Sequence, residues 1–208
     1  MLTTSHSSDW EDATQSRLDP LALRIERNSN GLMTVIPVLD AVLNAHAELL
    51  GDDLDGYRNH TYRVANFCLA LSPDEPDVCD KVAIAAAFHD IGIWTDGTFD
   101  YLEPSVRSVA AFLTRIGRKG WEGEIVEMIR QHHKLTPWRG KASRLVEPFR
   151  KADWVDVSKG LLSFELTRRF RSSVMIAWPN AGFHRKLVRL TLERAARHPL
   201  SPLPMLKR

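Results

Sequence analysis

The stretch VCDKVAIAAAF at positions 78–88 is almost entirely apolar, and it leads directly into His89 and Asp90. A helix with so few polar positions has no face suited to water, so we predict that it lies at the centre of a helical bundle. Pro76 fits the first turn of such a helix. The buried helix would then carry an ionisable pair at its C-terminal end.

Apolar residues elsewhere recur mostly at steps of three and four, which is typical of amphipathic helices. We find no internal repeat and no alternating strand pattern longer than a few residues. The predicted fold class is therefore all-α, a single-domain helical bundle. Besides the central helix, we predict helices over residues 34–50, 52–71, 104–116, 121–133, 149–162 and 182–197, with a loop at 91–101.

We divide the chain into a mobile N-terminal tail at residues 1–20, a helical domain at 21–198 and a Pro-rich C-terminal tail at 199–208. The first segment is rich in Ser, Thr, Asp and Gln without periodicity. It has neither the basic start nor the apolar run of a secretory signal. The longest apolar run also falls short of the roughly 20 residues that span a bilayer. We predict a cytoplasmic protein.

Composition excludes some classes of partner. The formal net charge of +2 is too small to indicate a nucleic-acid binder, and we expect neither a nucleic-acid duplex nor a membrane as partner. The two cysteines, Cys68 and Cys79, lie in apolar helical stretches, which favours buried thiols over a disulfide.

The pair His89-Asp90 has two interpretations. Imidazole nitrogen and carboxylate oxygen are ordinary ligands of divalent metals, and an unpartnered carboxylate at the end of a buried helix is costly. The pair can instead end the helix, with His favoured at the C-terminal dipole and Asp forming a turn. Local sequence leaves both interpretations open.

Four motifs in order resemble the HD-domain superfamily. They are His60 in RNHTYRVANF, His89-Asp90 in AAAFHDIGIW, His132-His133 in IRQHHK, and Asp153 in RKADWVD. That family carries a His, a His-Asp pair followed by Ile-Gly, and a distant Asp on separate helices. The resemblance spans roughly residues 53–156, about half of the chain.

The resemblance implies that His60, His89, Asp90 and Asp153 bind one metal ion, with Asp90 placed to bridge to a second. It also implies that His132 and His133 supply ligands to a second ion. Members with two metals have a further histidine after the His-Asp loop, and none occurs here between His89 and His132.

Glu103 is the nearest substitute for that missing histidine. It either binds metal, which would harden the site and favour Mn, Mg or Fe over Zn, or caps the helix that Pro104 begins.

We also make predictions for four polar or aromatic residues outside the ligand set. We expect His46 to be a core histidine and His184 a surface or interface residue. Asp156, one turn after Asp153, is expected to hydrogen-bond a ligand histidine. Trp94 follows the His-Asp pair and would offer a substrate a stacking face.

A divalent ion that activates water suits phosphoester hydrolysis. We therefore predict a metal-dependent phosphohydrolase acting on a small phosphomonoester or nucleotide, with Asp90, Arg63 and Lys134 as catalytic residues. Arg63 and Lys134 would contact the phosphate; surface solvation is the alternative for both. The cofactor is a divalent metal (Mn, Mg, Fe or Zn), one ion with a second left open, and the assembly considered is a homodimer.

The same scaffold admits other activities. HD relatives include di-iron oxygenases and enzymes that hydrate small nitrile-like substrates. A regulatory module that binds a nucleotide without turnover is the non-enzymatic alternative.

Overall fold

The protein folds into helices joined by short connections, with one small hairpin near its start; the computed structural model describes residues 21, 25–140, 144–199 and 205–206. The hairpin pairs β1 (Glu26–Arg27) antiparallel with β2 (Met33–Val35). Single 3₁₀ turns lie at Gly51–Asp53 and Lys119–Trp121. The described helices are α1 (Pro37–Ala45), α2 (Ala47–Leu50), α3 (Leu54–Leu71), α4 (Val78–Phe88), α5 (Gly92–Thr95), α6 (Leu102–Arg115), α7 (Glu122–Gln131), α8 (Val146–Val157), α9 (Arg168–Ala177) and α10 (Phe183–Arg197).

The almost apolar helix α4 lies at the centre, as its sequence predicts. Every residue from Val82 to Phe88 is at most 2% exposed. Helices α1, α3, α6 and α7 all pack against it. An all-α bundle with a buried central helix is therefore confirmed.

Helix α3 packs along α8, and α7 packs against both α8 and α4. His60 lies within α3 and Asp153 within α8. His89 is the C-cap of α4 and His132 is the C-cap of α7. This packing places the C-terminal ends of α4 and α7 beside the middle of α3 and α8, so that the candidate ligands lie close together.

The helix predicted over residues 34–50 begins later than expected and is divided at His46 into α1 and α2, the second of which ends at Leu50 as predicted. Residues 33–35 form a strand, and α1 begins at Pro37, whose missing N–H and fixed φ suit a first helical position. Asn66 on α3 holds the hairpin, because its Oδ1 accepts from Met33 N at 2.8 Å and its Nδ2 donates to Met33 O at 3.2 Å. A tertiary contact therefore overrides the helical period of this segment.

The C-terminal part contains a helix that we did not predict. Helix α8 ends at Val157, earlier than expected, because Lys159 and Gly160 adopt positive φ angles of 53° and 78°. Helix α9 then begins after Thr167, whose hydroxyl accepts from Phe170 N at 3.2 Å. The capping threonine was the available sequence signal for α9. Helix α10 agrees with the predicted helix at 182–197.

The predicted tail at 1–20 lies outside the described residues, as does most of the segment after Pro199. Met205 is described and is only 3% exposed, packed with Ile93, Tyr101 and Leu102. Both cysteines are free thiols; Cys68 is buried as predicted, whereas Cys79 is only half-buried. Within the described part of the chain, no helix combines the length and apolar character needed to cross a bilayer.

Gly92, which follows the His-Asp-Ile sequence, has no space for a side chain. A Cβ there would overlap the Tyr101 carbonyl oxygen and lie 2.8 Å from Pro104 Cβ. We expect Gly92→Ala to lower the free energy of unfolding by about 1–3 kcal/mol through overpacking. Gly123 in α7 is the matched control, since its added Cβ would meet no described atom within 4 Å apart from its chain neighbours and the backbone of its own helix. Gly123→Ala should raise stability by up to about 1 kcal/mol. Urea unfolding that gives both variants the same sign would contradict this account.

Candidate metal centre

Helices α3, α4, α7 and α8 deliver six ionisable side chains to one buried place. Five of these side chains belong to residues no more than 3% exposed. The sixth, His133, has a side chain that is 15% exposed. All six were predicted as ligands from the sequence: His60, His89, Asp90, His132, His133 and Asp153.

Three of the histidines have Nδ1 anchored by an acceptor, which leaves Nε2 directed at the cluster. The distances from Nδ1 are 2.6 Å (His60 to Asp156 Oδ2), 2.8 Å (His89 to Ala86 O) and 2.6 Å (His132 to Ile129 O). Because these partners only accept, Nδ1 carries the hydrogen and Nε2 can offer its lone pair. This is the tautomer that a metal-binding imidazole needs.

The first donor set consists of His60 Nε2, His89 Nε2, Asp90 Oδ2 and Asp153 Oδ1. The two nitrogens face each other at 2.8 Å. The carboxylate oxygens lie between 3.5 and 3.8 Å from them. Two imidazole lone pairs at this distance repel unless a proton or a cation lies between them. The atoms are spaced as ligands of one ion would be, since metal–ligand bonds of about 2.0–2.2 Å separate neighbouring ligands by roughly 3 Å.

The second donor set consists of His132 Nε2, His133 Nδ1, Asp90 Oδ1 and Asp153 Oδ2. His132 Nε2 lies 3.5 Å from Asp90 Oδ1, and His133 Nδ1 lies 3.5 Å from Asp153 Oδ2. Asp90, His132 and His133 also meet the spacing of a metal-binding group. Each aspartate therefore turns one oxygen to each donor set, which is the arrangement of a carboxylate that bridges two ions.

Several atoms of these donor sets have no hydrogen-bond partner among the described residues, although they are buried. They are Asp90 Oδ1, His132 Nε2 and both carboxylate oxygens of Asp153. A buried carboxylate without a partner costs several kcal/mol. A divalent cation would compensate these atoms, so the residues present fit a metal.

The electrostatics of the cluster also suit a cation. Burial lowers the pKa of His89 to about 3 and raises the pKa of Asp153 to about 7. Burial also opposes a charged His60, but hydrogen bonds to Asp156 and Asp90 raise its pKa to about 9. Protons and metal therefore compete for the same atoms, and metal binding releases protons.

Asp156 makes the hydrogen bond predicted for it, to Nδ1 of His60. Burial disfavours its charge, but hydrogen bonds from His60 and Arg63 hold the pKa of Asp156 well below its usual range. Asp156 therefore stays ionised and orients His60.

The predicted phosphate contact by Arg63 is wrong. Arg63 is fully buried, and its Nε and Nη2 donate to the Asp156 carboxylate. Its Nη1 donates to the carbonyls of Trp178 and Pro179, at 2.9 and 3.2 Å. Its position one turn after His60 directs the guanidinium to Asp156 on α8, where it cannot reach a substrate.

The metal-ligand interpretation of Glu103 is also wrong. The Glu103 side chain is 59% exposed and forms a bidentate ion pair with Arg130, whose Nε and Nη2 donate to its carboxylate oxygens at 3.0 and 2.8 Å. Its neighbours Leu102 and Pro104 are buried instead, so the turn of α6 directs Glu103 to solvent. Without Glu103, each donor set offers two nitrogens and two oxygens, so the ligands do not favour Mn, Mg or Fe over Zn.

We expect Glu103→Gln to leave the metal stoichiometry unchanged, because the side chain lies at the surface. The lost ion pair with Arg130 should change the free energy of unfolding by at most about 1 kcal/mol. Metal analysis and thermal melting of the same sample measure both quantities. A variant that loses one ion per chain would return Glu103 to the site.

Three further residues, His46, His184 and Trp94, were given roles from the sequence. His46 is half-buried rather than in the core, and its Nδ1 lies 2.8 Å from Val42 O, so its ring has the hydrogen-bond partner that we expected. His184 is not a simple surface residue, because its Nε2 donates to Asp156 O at 3.0 Å. Trp94 packs on Tyr57 at 4.7 Å between ring centroids, and its substrate contact stays a prediction.

Lys134 follows His133 directly. Its backbone carbonyl is fixed by Arg150 Nη1 at 3.0 Å and by Trp154 Nε1 at 3.2 Å. Its side chain therefore starts from a fixed point beside the second donor set, and its role stays a prediction.

Sequence reasoning missed two aromatic residues of the site. The Tyr101 hydroxyl lies 2.5 Å from His133 Nε2, and burial together with Asp90 and Asp153 raises the pKa of this phenol well above its usual range. Phe183 on α10 stacks on the His60 ring, with centroids 4.0 Å apart and planes 16° apart. No local pattern marks either residue, because both reach the site only through packing.

The fold and the site define a class: a helical domain whose bundle centre carries a buried cluster of histidine and aspartate side chains that could hold a metal ion. The family model of the HD domain matches residues 57–158. This part of the chain belongs to the HD-domain superfamily. No curated protein and no solved structure matches it.

Proposed function

We propose that this protein is a metal-dependent phosphohydrolase that acts on a small phosphomonoester or nucleotide. The observation that supports it is the double donor set, in which Asp90 and Asp153 each present one oxygen to either side. A divalent ion held there supplies a Lewis acid for phosphoryl oxygens and lowers the pKa of its bound water from about 15.7 to about 7.

The protein's own residues would keep the reacting groups in a buried site with fixed ligand orientations. The anchored Nδ1 atoms of His60, His89 and His132 prevent their rings from turning. Tyr101 keeps its phenolic proton, because burial raises its pKa. When Nδ1 of His133 is a ligand, its Nε2–H donates to the Tyr101 oxygen, and the phenolic proton is left to point towards the reacting groups.

Burial of the ligands supports a small substrate with a terminal phosphoryl group. His133 is the ligand whose side chain is measurably exposed, at 15%, so approach on its side is favoured. A terminal phosphoryl group can enter a narrow opening, whereas an internal diester of a polymer needs room on both sides. We assign the contact with the phosphate to Lys134, which replaces Arg63 in that role.

The experiment combines metal analysis with a substrate screen. Protein purified without chelator is analysed for Mn, Fe, Zn and Mg, then assayed on nucleoside monophosphates, sugar phosphates and a chromogenic phosphomonoester, with the matching diester as control. We expect a metal-dependent release of phosphate from monoesters and little from the diester. Absence of turnover with every metal and every ester, in a protein that is folded and metal-loaded, would contradict the proposal.

The rival activities correspond to other outcomes of the same experiment. A second ion bound by the second donor set would make the two-metal site that a di-iron oxygenase needs, and two irons with a visible charge-transfer band and no phosphatase activity would favour that activity. Hydration of a small nitrile without phosphatase activity would favour a hydratase. Nucleotide binding without turnover would favour a regulatory module.

We also propose what the protein binds and where it acts. A net charge of +2 gives no basis for binding a nucleic-acid duplex, and we propose neither such a duplex nor a membrane as partner. The cytoplasm and a homodimer remain our predictions for location and assembly.

A further inference from the structure

We propose that the segment Trp178–His184, here called the C-terminal turn, positions His60 for metal binding. This segment lies beyond residues 57–158, which the HD-domain model matches. The inference rests on the proposed metal centre and concerns how this chain fixes one of its ligands.

The first contact is made by Phe183. Its ring stacks on His60 with 4.0 Å between centroids and 16° between planes, and the residue is 3% exposed. A stacked aromatic ring restricts rotation of the imidazole about its Cβ–Cγ bond, because turning the ring plane would cause a clash. Phe183 therefore sets the plane in which His60 presents Nε2 to the first donor set.

The second contact runs through Arg63 and Asp156. Asp156 Oδ2 holds Nδ1 of His60 at 2.6 Å, and Arg63 Nη2 donates to the same carboxylate oxygen at 2.9 Å. The Nη1 of Arg63 donates to the carbonyls of Trp178 and Pro179. The C-terminal turn thus fixes the guanidinium that fixes Asp156, and Asp156 fixes the tautomer of His60.

A third contact joins the turn to α8 directly. The Nε2 of His184 donates to the backbone carbonyl of Asp156 at 3.0 Å. Phe183 and His184 are adjacent, so one residue of the turn holds the His60 ring and the next holds the helix that bears its hydrogen-bond partner.

The C-terminal turn also packs closely against α3. Asn59 Nδ2 donates to Pro179 O at 2.8 Å. Gly56 allows a close approach, since a Cβ there would lie 3.0 Å from Ala181 O. Ala181 and Gly182 both have positive φ angles, of 46° and 90°. An alanine in the left-handed region is unfavourable, so tertiary contacts hold the turn in this shape.

The test compares Phe183→Leu with Phe67→Leu in the full-length chain. Phe67 is a fully buried aromatic residue on the same helix as His60, and its ring packs on Phe170. Both substitutions remove a buried ring, but only the first removes the stack on His60. Co²⁺ is the probe: its affinity is measured by competition with a chelator, and its visible absorption reports ligand geometry. Melting of the metal-free protein measures stability separately.

We expect Phe183→Leu to weaken Co²⁺ binding by about 10-fold to 100-fold, the range for residues that orient metal ligands, and to alter the visible spectrum. Phe67→Leu should lower the melting temperature and leave Co²⁺ affinity and spectrum as in the parent. Parental Co²⁺ affinity in Phe183→Leu, or equal loss in both variants, would overturn the positioning role. A parent that binds no Co²⁺ would overturn the metal centre as well, which distinguishes the two failures.

If Phe183→Leu does not fold, Asn59→Ala provides the second variant. It removes the hydrogen bond to Pro179 O from a half-buried position and leaves every ligand and the stacked ring in place. Weaker Co²⁺ binding of the folded Asn59→Ala protein, by severalfold or more, supports the proposal. Parental affinity in that variant contradicts it.

Discussion

Asp90→Asn is expected to abolish tight metal binding at both donor sets and, in the proposed hydrolase, to bring turnover down to that of the metal-free protein. Asp90 Oδ2 belongs to the first donor set and Oδ1 to the second. Asparagine has nearly the same shape but offers one neutral oxygen, so neither ion keeps an anionic ligand from this residue. Elemental analysis after dialysis, together with the phosphatase assay, measures the two effects.

Asp96→Asn is the matched control for Asp90→Asn. It makes the same chemical change in the residue that follows α5, where the carboxylate is 36% exposed and pairs with Arg107. We expect parental metal content and turnover in that variant. If Asp90→Asn retained two ions and turnover near the parental rate, the assignment of Asp90 as a bridging ligand would be wrong.

We propose that each donor set holds one ion, and His132→Ala is then expected to lower the metal stoichiometry from two ions per chain to one. The second donor set loses its buried imidazole, while His60, His89 and the two aspartates of the first set remain. One nitrogen and two shared carboxylates hold an ion much less tightly than four ligands do. Titration calorimetry with Mn²⁺ or Co²⁺ gives the number of sites directly.

His46→Ala serves as the control for His132→Ala. Both histidines are helix C-caps, and in both Nδ1 bonds a backbone carbonyl within four residues. His46 lies outside the donor sets, so this variant should retain two ions. A parent protein that binds a single ion, or a His132→Ala variant that binds two, would contradict a two-metal centre.

The candidate ligands could be predicted because four short motifs, taken in order, resemble the HD-domain superfamily. Local sequence alone left His89-Asp90 open between a metal-binding pair and a helix end. The central position of α4 could be predicted from its composition, since a helix without a polar face has to be buried. Asp156 followed from its place one turn after Asp153.

The roles of Arg63 and Glu103 could not be predicted in this way. Arg63, one turn after His60, was expected to contact the phosphate. Glu103 was considered either a metal ligand in place of the missing histidine or a helix cap. Arg63 is instead buried against Asp156 from another helix, and Glu103 faces solvent beside Arg130. Whether a charged side chain on a helix points to the site or away from it depends on how that helix is rotated against its neighbours.

The sequence by itself determined that this chain is helical and which helix is central, because periodicity and residue chemistry act over a few neighbouring positions. The six side chains of the donor sets were implied by the resemblance of four motifs to the HD-domain superfamily, and Glu103 was wrongly considered beside them. Only the tertiary structure decided that Asp90 and Asp153 divide their oxygens between two donor sets and that Tyr101 and Phe183 complete the site. Those relations join residues up to 123 positions apart, as with His60 and Phe183. They arise from the packing of whole helices, which no local pattern encodes.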